Sequence, residues 1–145
     1  MLQFRGSPAL SHFRIQKLLS ALREKLPSVT GLAAEYHYFV DADANLGVQE
    51  HGLLGRLLDD EAHSIAAQVP AGGLLLCVPR LGTISPWASK ATDIARSCGL
   101  TSVRRIERGI ACYVQCGEIA PSADELSLLA PVLHDRMVQT VLFKF

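Results

Sequence analysis

The chain has 145 residues, 14 Lys+Arg against 14 Asp+Glu, a formal net charge of zero and 49% hydrophobic residues. That length suits one domain with a real core, burying roughly 68–70% of the surface its unfolded form exposes. Without a basic block or aromatic residues interleaved with cations, nothing draws it to nucleic acid or to an anionic membrane. Its longest apolar stretches fall far short of the ~20 residues of a membrane helix, and MLQFRGSP lacks the charged start and long apolar region of a signal peptide. A cytoplasmic protein is expected.

Taken in order, Leu2 to Arg5 suits a short strand, and Ser7-Pro8 has the form of a helix start, hydroxyl first and proline at the first helical position. The helix that follows carries Ile15, Leu18, Leu19, Leu22 and Leu26 at helical spacing, with Arg14, Lys17, Arg23 and Glu24 largely on the other side. Pro27 stops it. Ala33 to Val40 reads as a strand with Ala34, Tyr36, Tyr38 and Val40 on one face. His37 falls on the other face with Glu35 and Phe39, where a lone histidine is more often a hydrogen-bonded sheet residue than a catalyst. Asp41-Ala42-Asp43-Ala44-Asn45 begins like a calcium loop, but lacks glycine at the sixth position and a bidentate Glu at the twelfth. A second helix is predicted over about Val48 to Ala66, carrying Leu53, Leu54, Leu57 and Leu58, with Asp59, Asp60 and Glu61 as a solvated patch.

Leu74 to Val78 is an unbroken apolar run, short enough for a strand buried on both faces and closed by Pro79. Arg80 to Ser85 reads as a loop. Ser85-Pro86 then opens a helix whose apolar face is Trp87, Ala88, Ala91, Ile94, Ala95 and Cys98, with Gly99 as its left-handed end. A long strand is predicted over Ser102 to Gln115; its charged first half, Arg104 to Arg108, is exposed or interfacial, and its second half is more apolar. Pro121-Ser122-Ala123-Asp124-Glu125 starts a further helix, bearing Leu126, Leu129, Val132 and Leu133. The apolar tail, Met137 to Phe145, reads as a last strand or as the beginning of a chain that continues.

Four cysteines, Cys77, Cys98, Cys112 and Cys116, are read as buried thiols, since their spacing provides no second pair of zinc ligands. No metal site and no catalytic set is predicted: His12, His37, His51, His63 and His134 show no spacing that pairs a base with a nucleophile. The chemistry-bearing stretch is instead the loop. Arg80, Thr83, Ser85 and Lys90, with the free N–H groups of the helix start, form a candidate contact for an anion or for an acidic group of a neighbouring domain. The competing reading is that Ser85 only caps, Trp87 packs, and Arg80 and Lys90 are solvated.

The halves of the chain resemble each other. Ser7-Pro8 corresponds to Ser85-Pro86, and Leu53 to Asp60 lines up with Leu128 to Asp135. The expected fold is α+β: a two-layer, mostly antiparallel sheet with helices on one face, built as a duplication of β-α-β-α halves at about 1–70 and 71–145. A three-layer parallel sheet would need more wholly apolar strands than Leu74 to Val78 alone.

The run Pro79 to Ala95 (PRLGTISPWASKATDIA), with Arg105-Ile106-Glu107-Arg108-Gly109, Phe4 to Ser11 and His134 to Met137, resembles the N-terminal domain of the large single-chain phosphoribosylformylglycinamidine synthases of purine biosynthesis. The resemblance covers essentially the whole chain. It implies a PurS-like domain, similar to a dimer of the small subunit found where that enzyme is made of separate chains. It also implies an enzyme converting formylglycinamide ribonucleotide to the amidine, with ATP and magnesium used in one further domain and glutamine-derived ammonia supplied by another. Those synthetase and glutaminase domains, absent from this chain, would be its partners. No cofactor and no catalytic residue is carried over to residues here, and none of the four cysteines is the glutaminase nucleophile. The expected role is scaffolding, with the 145-residue chain inactive alone; the alternative is a stand-alone interaction module.

Overall fold

The structure, a computed structural model, describes residues 1–43, 46–58 and 70–145. Strands and helices alternate: β1 (Leu2–Pro8), α1 (His12–Lys25), β2 (Gly31–Ala42), α2 (Val48–Leu57), β3 (Gly73–Pro79), α3 (Pro86–Ser97), β4 (Val103–Gln115), α4 (Ala123–Leu133) and β5 (Gln139–Leu142). This is the β-α-β-α order twice over, with one added strand. The strands form an antiparallel α+β sheet in the order β1-β2-β4-β3-β5. The second part of the helix expected over Val48 to Ala66, with its acidic patch, lies outside the described residues.

Packing divides the chain into two compact units: Met1–Ser7, Tyr36–Ala67 and Gly82–Gly109 form the first, and Pro8–Glu35, Gln68–Leu81 and Ile110–Phe145 the second. Each unit draws on both halves of the chain, the first through α2 and α3, the second through α1 and α4. In the second unit, the stripe expected on α1 is the side that packs. Leu19 and Leu22 are buried with Leu75, Cys112, Val114 and Leu129, while Ile15 and Leu26 lie against them half-buried. Strand β3 pairs with β4 in the register Leu75↔Cys112 and with β5 in the register Cys77↔Val141. Leu75, Leu76, Cys77 and Val78 are buried in succession, so both faces of this strand are covered, as its unbroken apolar run requires. At Gly72 the backbone has φ +124°, and a Cβ there would collide with the carbonyl oxygen of Val114, which only glycine avoids. Helix α4 is closed by a capping box, with the Ser122 hydroxyl accepting from Glu125 N–H and the Glu125 carboxylate accepting from Ser122 N–H.

The core of the first unit joins Phe4, Tyr38, Val40, Leu54, Ala95, Leu100, Val103 and Ile106, with Trp87 and Ala91 against it. Residues Tyr38 and Val40 on the predicted face of β2 are buried. His37, on the other face, is also buried, and its Nε2 is 3.0 Å from the Gln3 amide oxygen.

Two expectations are corrected. Ser7-Pro8 does not start a helix: both residues belong to β1, and α1 is capped by Ser11, whose Oγ accepts from Arg14 N–H at 3.3 Å. Proline's fixed φ and missing N–H suit the end of an edge strand as well as a helix start, and β1 is an edge strand. Nor are all four thiols buried: Cys77 and Cys112 are, Cys116 is half-buried, and Cys98 is exposed. Cys98 is the C-cap of α3, followed by Gly99 at φ +93°, so the chain leaves the helix where the apolar face would have continued. Within the buried pair, hydrogen bonding to Cys77 and burial push the Cys112 thiol above the usual cysteine pKa.

Candidate interdomain loop and its anchor on β4

Residues 80–85 carry the chain from β3 into α3. Ser85 is the N-cap, with φ −71° and ψ 152°; its Oγ accepts from Ala88 N–H at 3.0 Å, and Pro86 begins the helix. The same hydroxyl donates to Glu107 Oε1 at 3.0 Å. Glu107 also accepts from Arg105 Nη2 at 2.9 Å and from the Arg108 backbone N–H at 3.0 Å. Arg105 and Glu107 stand two apart on a strand, so they share one face and meet as an ion pair. Arg105 Nη2 further donates to the Thr83 carbonyl at 2.9 Å.

The next residues on each segment also meet. The Arg108 guanidinium carbon lies 4.5 Å from the ring centroids of both Trp87 and Tyr36, and Tyr38 stacks on Trp87 at 5.8 Å. Deeper in, Thr92 Oγ1 donates to the Ala88 carbonyl at 2.7 Å and accepts from the Ile106 N–H at 3.0 Å, which joins the buried face of α3 to β4. Thr83 to Thr92 is therefore fastened, residue by residue, to Arg105 to Arg108. Two of the loop's exposed side chains are apolar: Leu81 is 75% exposed and Ile84 64%.

The four predicted loop residues divide between the two units, Arg80 in the second and Thr83, Ser85 and Lys90 in the first. Thr83 and Ser85 share the Arg105–Glu107 anchor. Lys90, further along α3, lines an apolar recess of the first unit with Leu57, Trp87 and Ile94. Arg80 belongs to the second unit, where its backbone N–H donates to the Val138 carbonyl at 3.0 Å. An anion approaching the start of α3 would meet the Glu107 carboxylate, and the Ser85 hydroxyl is engaged as both donor and acceptor.

Sequence reasoning missed Arg105, Glu107 and Thr92 as the fastening residues. All three fall in the blocks that carry the family resemblance; the charged alternation of Arg104 to Arg108 further marked Arg105 and Glu107, but leaves open which charges point at the protein. Arg104, on the exposed side of β4, holds Asp41 at 2.9 Å and Asp43 at 3.0 Å, and the hydrogen bond and charge of Asp41, with the charge of Asp43, keep its guanidinium above the usual arginine pKa. Those two carboxylates are thereby engaged, and among the described residues no group of three His, Cys, Asp or Glu side chains could hold a metal ion.

A family model described as formylglycinamide ribonucleotide amidotransferase N-terminal matches residues 35–145, well over half of the chain. The chain belongs to this family. It is a domain of formylglycinamide ribonucleotide amidotransferase, an ATP-dependent enzyme of purine biosynthesis with other domains. The amidotransferase match contains both Pro79 to Ala95 and Arg105 to Gly109, the two blocks that meet in the structure; Phe4 to Ser11 lies outside it. No helix among the described residues is long and apolar enough to cross a membrane.

Proposed function

We propose that this domain scaffolds the cytoplasmic amidotransferase, docking its synthetase and glutaminase domains and helping to shape the path from ammonia source to acceptor. ATP, magnesium and the glutaminase nucleophile belong to those other domains, and this chain alone performs no amidine formation. The observation that supports the reading is the anchored loop. The segment from Thr83 to Ser85, held by Arg105 and Glu107 yet carrying exposed Ile84, is preorganised to meet a partner at low entropic cost. Thr83 and Ser85 act in this reading by shaping the loop, while Arg80 and Lys90 supply charge at its two ends for acidic groups of the neighbouring domains. The 1–145 chain functions as one PurS-like domain built from half-repeats of about 1–70 and 71–145.

The test is reconstitution. Added to the remainder of the amidotransferase lacking this domain, the chain is expected to restore ATP- and glutamine-dependent amidine formation, while either part alone stays inactive. Full activity of the remainder alone, or turnover by the isolated chain, would remove the scaffolding role.

A further inference from the structure

Strand β4 carries Arg104, Arg105 and Arg108, and these cations are held in different ways. Arg104 is paired with Asp41 and Asp43, and Arg105 with Glu107. Glu107 also meets Arg108, but through its backbone N–H and not its guanidinium. Among the described residues the Arg108 guanidinium meets aromatic rings and no acid. On the docking reading above, we infer that Arg108, half-buried between Trp87 and Tyr36, receives a carboxylate from another domain of the amidotransferase.

The rings fix where that cation sits. Its central carbon is 4.5 Å from the centroids of both Tyr36 and Trp87, and Tyr38 stacks on Trp87 at 5.8 Å and on Tyr36 at 6.4 Å. Gly6 of β1 leaves room for this row, since a Cβ there would collide with the Tyr38 ring. Trp87 is in turn fixed by the start of α3, whose cap Ser85 is tied to Glu107. Tyr36, Trp87 and Arg108 all belong to the first unit, so the arrangement is internal to it. Ring faces attract the charge but do not take the in-plane hydrogen bonds of a guanidinium, which stay available to an acceptor. The stacked side chain has already given up rotamer freedom, so an incoming acid meets it at lower entropic cost.

The fork selects the acceptor. Two parallel N–H groups bearing one positive charge match the two oxygens and single charge of a carboxylate. Arg104 and Arg105 are already paired with acids, so a phosphate dianion would meet one unpaired guanidinium only. The setting also suits a protein partner. Trp, Tyr and Arg are the side chains that concentrate binding energy at interface centres, and exposed Ile84 lies three residues before Trp87 on the same segment.

The test is zero-length crosslinking in the full amidotransferase. Arg108→Lys places a primary amine at this position, and a water-soluble carbodiimide joins an amine to a carboxylate in contact with it. Mass spectrometry of the digest is expected to find residue 108 coupled to an Asp or Glu outside residues 1–145. Coupling confined to acids within residues 1–145, of the same or a second copy, or no coupling at all, would overturn the contact. Reconstitution supplies a second readout. Arg108→Gln is expected to keep the unfolding midpoint and to restore amidine formation at least about tenfold less effectively than the unaltered chain, with the gap narrowing as salt rises; Arg108→Lys falls between. A structural role alone would not give that salt dependence. Equal restoration by Arg108→Gln and the unaltered chain would overturn the role of Arg108 and leave the docking reading standing. No restoration by the unaltered chain would remove the docking reading and this contact with it.

Discussion

Leu22→Ala is expected to destabilise the chain by about 2–5 kcal/mol, the range for truncating a wholly buried leucine. Leu22 has no exposed surface and lies in the core of the second unit with Leu19, Val114 and Leu129. Helix α1 packs on α4 and α4 on β3, so the lost methyl groups leave a cavity where three elements meet. Urea unfolding of the variant reads the effect directly. A loss below about 1 kcal/mol would mean that the site collapses freely or that α1 is not held by this stripe.

The second large effect is expected at Glu107. Glu107→Ala removes the acceptor of the Ser85 hydroxyl, of Arg105 Nη2 and of the Arg108 N–H together. The carboxylate side chain is only 14% exposed, whereas the Arg105 side chain is 41% exposed, so solvent screens part of the ion pair. Arg105 Nε is already buried without a hydrogen-bond partner among the described residues, and loss of Glu107 leaves Nη2 bonded to the Thr83 carbonyl. A cost of about 2–3 kcal/mol follows from hydrogen bonds to a charged, partly buried group. Glu107→Gln keeps the shape and loses the charge, and is expected to cost about half as much. Hydrogen exchange separates a local from a general effect: amides of Ser85 to Ala88 should lose protection in Glu107→Ala more than those of α4. Unchanged exchange at those amides would remove Glu107 as the anchor.

These two sites differ in how far the sequence reveals them. Leu22 is legible because the stripe Ile15–Leu26 is local: helical spacing alone puts those side chains on one side, and a chain this apolar buries such a side. The same holds for β3, whose run of apolar residues leaves no polar face to solvate, and for Ser85-Pro86, where cap and helix lie within four residues. Ser7-Pro8 shows the limit of local reading, since proline at the end of an edge strand and proline at a helix start have the same backbone angle. Cys98 shows another: periodicity continues in sequence after the helix has ended in space.

Glu107 is harder to read because its partner Ser85 is 22 residues away. Alternating charges on β4 are compatible with solvent, with a partner, or with an internal network; only the pairing of β4 with the start of α3 selects among them. The same long-range step separates Arg80 from the other loop residues. Sequence proximity groups Arg80 with Thr83, whereas the fold gives Arg80 to the unit that contains Arg136 and His134, and Thr83 to the one that contains Arg105. The family resemblance, by contrast, is legible from contiguous blocks, Pro79 to Ala95, Arg105 to Gly109, Phe4 to Ser11 and His134 to Met137, of which all but Phe4 to Ser11 lie within the family match.

The most direct measurement of the docking role is reconstitution with the loop's outer side changed and its anchor intact. In Ile84→Asp the substitution falls on an exposed side chain of the first unit, so stability should change little, by about 0.5 kcal/mol or less. This variant is expected to restore amidine formation to the remainder of the amidotransferase at least about tenfold less effectively than the unaltered chain at equal concentration, because buried contacts at an interface centre are lost. Restoration equal to that of the unaltered chain, with the variant folded, would contradict it.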